Sequence, residues 1–100
     1  MTKIARDKDG QIAQCVGLGA AQTVAYDASV QSTAVGINTT VIRVVSTTDC
    51  HVAIGTNPTA TTSSTFLPVY SVEYFKIAPG SKIAAIKNAT AGTLYVTECE

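Results

Sequence analysis

Residues 71–87 read SVEYFKIAPGSKIAAIK, and this stretch decides the fold class. The run Val72-Glu73-Tyr74-Phe75-Lys76-Ile77 is followed by Ala78-Pro79-Gly80-Ser81 and then by Lys82-Ile83-Ala84-Ala85-Ile86-Lys87. Pro79 fixes φ at the second position of a turn and Gly80 accepts positive φ at the third, which is type II turn chemistry. The sequence therefore predicts a β-hairpin. Successive strand residues point to opposite faces, so Glu73, Phe75 and Ile77 share one face while Val72, Tyr74 and Lys76 share the other. Neither face is purely polar.

The same texture extends in both directions. Runs rich in Val, Ile, Thr and Tyr predict strands near 11–18, 21–27, 28–36, 40–47, 50–55, 66–70, 71–78, 82–88 and 92–99. No stretch of ten residues carries an apolar period of 3.6, so no substantial helix is expected. Val41-Ile42-Arg43-Val44-Val45 is apolar on both faces, as expected where one face meets the core and the other a neighbour. Thr47-Thr48-Asp49 predicts a second tight hairpin, into Cys50-His51-Val52-Ala53-Ile54. Thr59–Thr65 is uncharged and polar, and reads as a loop without core residues, exposed or draped over another subunit. Leu94 and Val96 alternate with Thr93, Tyr95 and Thr97. The expected fold is an all-β sandwich or jelly roll of about eight short antiparallel strands. Residues 1–10 (MTKIARDKDG) read as an N-terminal arm, and 11–100 as a single domain.

Composition narrows the function. Charged residues make up 14% of the 100-residue chain and the formal net charge is zero, against about 25% charged in an average domain. Thr and Ser, roughly a fifth of the chain, take their place. A neutral, charge-poor surface gives little protection against association. The seven Lys and Arg are scattered, so no basic cluster is offered to phosphates and nucleic acid is not expected as a partner. The apolar runs fall short of the ~18 residues of a membrane helix, and no secretory h-region opens the chain. Cys15, Cys50 and Cys99 form no CxxC pair and predict reduced thiols from a cytoplasm.

The chemistry-bearing residues do not converge. Asp49-Cys50-His51 contains three metal-ligand types, but neighbouring strand residues diverge, so Cys50 faces away from the other two. The same geometry separates the Cys50 thiol from the single histidine as a catalytic base. A nucleophile elbow, a glycine-rich phosphate loop and a paired-carboxylate arrangement are all missing from the sequence. No enzymatic activity, metal or cofactor is expected. Val41, Arg43, Val45, Val72, Tyr74 and Tyr95 are the candidate interface residues, drawn from strands that carry apolar or aromatic side chains on both faces. Tyr26, Tyr70, Tyr74 and Tyr95 without any Trp read as core-edge and interface residues ahead of a carbohydrate platform.

The line VIRVVSTTDCHVAIGTNPTATTSSTFLP, followed by EYFKIAPGSKIAAIKN and GTLYVTE, resembles small structural proteins of tailed bacteriophages. The resemblance spans Val41–Glu98, and its motifs reflect turn and core needs more than chemistry. It implies a virion component assembled in the host bacterial cytoplasm. The first reading is a capsid decoration (cement) protein, a homo-oligomer, most often a trimer, that bridges subunits of the major capsid protein. The alternative is a head–tail, neck or tail-fibre-associated protein, with receptor or glycan binding. Two contacts of about 800 Å² would cover nearly a third of the ~5,400 Å² surface expected at this mass.

Overall fold

The computed structural model describes residues 17–99. The expected strand at 11–18 and the arm at 1–10 lie essentially outside the described residues. Eight strands follow in order: β1 (Leu18–Tyr26), β2 (Val30–Gln31), β3 (Val41–Ser46), β4 (Cys50–Gly55), β5 (Thr65–Leu67), β6 (Glu73–Lys76), β7 (Lys82–Lys87) and β8 (Gly92–Cys99). They form two four-stranded antiparallel sheets, ordered β1-β8-β3-β6 and β2-β7-β4-β5. The all-β sandwich is as expected, and no helix occurs among the described residues.

The core lies between the sheets. Val24, Ile42, Val44, Leu94 and Val96 enter it from the first sheet, and Cys50, Val52, Leu67, Ile83 and Ala85 from the second. Alternation selects them, since each is two residues from the next on its strand. Leu94 and Val96 are buried while Tyr95 between them is 48% exposed.

Neither expected hairpin forms. The Ala78–Ser81 turn is present, with Ser81 N donating to Ala78 O at 3.1 Å and Gly80 at φ +77°. Its two arms separate, however: β6 pairs with β3 in the first sheet, and β7 pairs with β4 and β2 in the second. Thr47–Asp49 likewise carries the chain from β3 in one sheet to β4 in the other. Both turns are arches across the core. A turn reverses the chain, but the partner of each arm is set by which apolar faces must close over one another. Among the described strands, β4 and β5 are the sole sequence neighbours that pair.

The arch at 47–49 is pinned from within. The buried Tyr26 hydroxyl donates to Thr48 O at 2.9 Å and accepts from Thr48 N at 3.3 Å. Thr48 Oγ1 donates to Thr90 O, and Thr47 Oγ1 accepts from Thr93 N. Gly92 sits beneath this cluster. A Cβ there would stand 2.5 Å from Thr48 Oγ1 and 2.7 Å from the Tyr26 hydroxyl, so only glycine fits.

The cysteines depart from the expected three reduced thiols. Cys50 is a buried free thiol, but Cys99 is disulfide-bonded. Lack of CxxC spacing does not exclude a bridge, because the fold brings distant cysteines together. Cys15 lies outside the described residues.

Candidate functional site

The two outer faces of the sandwich differ. On the second sheet, residues 56–64 lie across the strands. Gln31 of β2 donates through its amide to Asn57 Oδ1 at 2.8 Å and to Pro58 O at 2.9 Å. Ser29 Oγ accepts from Ala60 N at 2.9 Å. At the other end, His51 of β4 contacts Ser64 O at 3.0 Å through Nδ1. β7 lies between β2 and β4, so the segment passes over it. Ala84 alternates to the outer side of β7 yet is fully buried. Pro58 and Ala60 are buried as well, which corrects the expectation of a loop without core residues. The loop covers its own sheet because small residues beneath it leave room and polar side chains at both edges satisfy its backbone.

His51 is a structural post in this arrangement. It is buried, its ring lies 5.4 Å from Phe66 at a 57° tilt, and Nε2 is 3.0 Å from the Asn88 side chain. A carbonyl only accepts, so the Ser64 contact places a proton on Nδ1, while Nε2 meets Asn88 Oδ1. Cys50 points the opposite way, into the core, and Asp49 Oδ1 accepts from Val69 N at 2.8 Å. The expected divergence of Asp49, Cys50 and His51 is what the structure contains. Burial pushes the Cys50 thiol up, opposed by the neighbouring Ser46 and Tyr26 hydroxyls, and burial also raises Tyr26. Among the described residues, no group of three His, Cys, Asp or Glu is arranged to hold a metal ion.

The first sheet has no such cover among the described residues. On β3, Ile42, Val44 and Ser46 are fully buried, so Val41, Arg43 and Val45 take the outer side. Arg43 is in register with Tyr74 on β6 and Thr97 on β8. Val45 is in register with Tyr95, which in turn pairs with Thr23 of β1. Arg43, Val45, Tyr74 and Tyr95 thus share one surface. Val41 shares their side but is 7% exposed and offers little area; Val72 is 40% exposed and precedes β6. The strand alternation assembles this surface from residues more than fifty positions apart. Thr23 and Ala25 complete its far side and were not among the candidates, because only the β1–β8 pairing places them there.

A second exposed element was legible only in part. Phe66, Val69, Tyr70 and Val72 are each at least 40% exposed. Their segment is held by Tyr70 N to Ser46 O and Ser71 N to Pro68 O, with Tyr70 at φ +56°. The run Phe66–Tyr70 reads as a strand, but its pairing ends at Leu67. In comparisons with known proteins, the chain matches no family model, no curated protein and no solved structure.

Proposed function

We propose that this protein is a structural module that works by assembly, through the outer face of its β1-β8-β3-β6 sheet. The observation that carries the proposal is the grouping of Arg43, Val45, Tyr74 and Tyr95 on one sheet face that no described segment covers, while the opposite face is covered by the chain itself. Tyr and Arg are the residue types enriched at interface cores, and a flat face suits protein contact better than a small ligand. With the resemblance to phage structural proteins, the reading becomes a virion protein, a capsid decoration protein that bridges major capsid subunits as a homo-oligomer, by that resemblance a trimer. The charge-poor composition supports a surface meant to be covered. The disulfide at Cys99 removes reduced thiols as a support for cytoplasmic assembly.

Light scattering on the eluting protein tests self-assembly. A multimer that Tyr95→Asp and Arg43→Glu convert to monomer is expected; a wild-type monomer at tens of micromolar overturns that part. Mass spectrometry of purified particles tests location. Hundreds of copies support decoration, a handful support a neck or tail position, and none overturns the virion reading. Tyr74 and Tyr95 lie on one face, which favours glycan recognition as the second reading. A glycan-array signal lost in Tyr74→Ala and Tyr95→Ala would select it.

A further inference from the structure

Leu18 pairs with Cys99 at one end of the sandwich and Tyr26 with Gly92 at the other, about 25 Å along β1. The second end is remote from both limits of the described chain. There the arch at 47–49, the turn at 88–91 and the segment 68–72 surround an open depression of about 250 Å³, walled by Thr47, Asp49, Val69, Asn88, Ala89 and Thr90. Pockets that bury a drug-sized ligand start at about 300 Å³, so this one suits a single ring.

The walls are tied to one another, yet their hydrogen-bonding capacity is not used up. Asp49 accepts from Val69 N through Oδ1 at 2.8 Å and from Asn88 N through its backbone carbonyl at 3.2 Å. Asp49 Oδ2 has no protein partner among the described residues. Asn88 turns one end of its amide to His51, and the other end is likewise unmatched. Tyr70, next in the chain after Val69, is 71% exposed at φ +56° and makes no side-chain hydrogen bond among the described residues. Gly or Asn would hold that left-handed position at lower cost. The backbone is nonetheless fixed, with Tyr70 N donating to Ser46 O at 2.9 Å and Ser71 N to Pro68 O at 3.2 Å. A large aromatic side chain is thus kept in a costly conformation, exposed, beside a depression with unspent polar groups. Strain that the fold does not need points to a contact outside it.

We propose that this depression binds one ring of a neutral saccharide, with Asp49 and Asn88 bonding neighbouring hydroxyls and Tyr70 covering an apolar face of the ring. A sugar hydroxyl both donates and accepts, so an unspent carboxylate oxygen beside an unspent amide matches a pair of them. The C–H face of the ring supplies the apolar partner for an aromatic. Asp49 opposes anions, and the cation next to Asn88, Lys87, is engaged by Asp27 at 2.5 Å. A metal ion is a poorer fit, since no group of three His, Cys, Asp or Glu forms among the described residues. The site lies apart from the Tyr74–Tyr95 face and does not rest on the assembly reading.

The test is titration of the full chain with the methyl glycosides of glucose, galactose, mannose and N-acetylglucosamine, followed by amide NMR. At least one should give saturable shifts centred on 47–49, 69–70 and 88–90, with a Kd of about 1–10 mM for so shallow a contact. No saturation by any of the four up to about 50 mM overturns the site. Shifts centred on Tyr74 and Tyr95 also overturn it, and select the sheet face as the glycan surface. Asp49→Asn keeps an acceptor for Val69 N and should weaken binding about tenfold or more; unchanged affinity overturns the proposal. Tyr70→Gly should weaken binding by a similar factor while the urea midpoint holds or rises. Full affinity in that variant, or a lowered midpoint, overturns the role given to Tyr70.

Discussion

The outer faces of the two sheets start from similar material and end in different states. Outer positions on β7 and β4 carry Ala84, Ile86, Ala53 and His51; those on β1, β8 and β3 carry Ala25, Thr23, Tyr95 and Val45. Both sets mix small and larger apolar side chains, the first sheet adding the hydroxyls of Thr23 and Tyr95 and the second the imidazole of His51. The second sheet also carries Gln31 and His51 on its two flanks, whose polar atoms reach the backbone of 56–64 and hold it down. No described segment is tied across the first. Exposure of apolar surface thus follows from where polar anchors sit as well as from hydrophobicity. Among the described residues, the first sheet's outer face is the one left without a covering loop.

This contrast can be broken most sharply with one substitution made twice. Ala84→Leu forces extra volume beneath the loop and should cost about 1–3 kcal/mol. Ala25→Leu, on the bare face, should change stability by less than about 0.5 kcal/mol. Urea unfolding of both variants measures the difference, and equal costs would falsify the covered-versus-bare distinction. Gly92→Ala belongs at the same level, about 1–3 kcal/mol, because its Cβ meets the Tyr26–Thr48 cluster at 2.5–2.8 Å.

A smaller effect is expected from His51→Ala, which removes two hydrogen bonds and leaves the Ser64 carbonyl unsatisfied. About 1–2 kcal/mol should be lost, with faster proteolysis within 56–64. Tyr95→Ser should leave the urea midpoint nearly unchanged while reducing association. A large loss of stability there would show that Tyr95 serves the fold.

The smallest effect comes from the core between the two faces. Cys50 and Tyr26 have folded-state values raised by burial, so the folded state retains protons that the unfolded chain releases. Stability should be flat below the unfolded thiol value of about 8.5 and decline as pH rises above it. Cys50→Val should remove the first part of that decline; an unchanged pH profile would exclude the thiol as its source.

Several parts of this molecule were legible without the fold. β4 and β8 have the boundaries read from sequence, because alternation and flanking turn residues are local. Val41–Val45 announced itself as two-sided for the same reason. The expected strand at 28–36 shrinks to Val30–Gln31. There Ser32 N still donates to Ile83 O of β7 and Val35 N to Ser81 O just before it, but the backbone departs from a regular ladder. The covering role of 56–64 was hidden, since its anchors Gln31 and His51 are remote in sequence and carry no motif.

The sequence by itself determined that the chain is all-β, where most strands run, which residues share a face on them, and that Pro79-Gly80 turns. Those properties depend on neighbours within a few positions. Tertiary structure alone decided that SVEYFKIAPGSKIAAIK is an arch and not a hairpin, its halves joining opposite sheets. Its turn fixes a reversal of direction, whereas its pairing depends on β3, β4 and β2, whose apolar faces close over Ile83, Ala85 and Ile77 from elsewhere in the chain. The same packing brought Arg43, Tyr74 and Tyr95 onto one face.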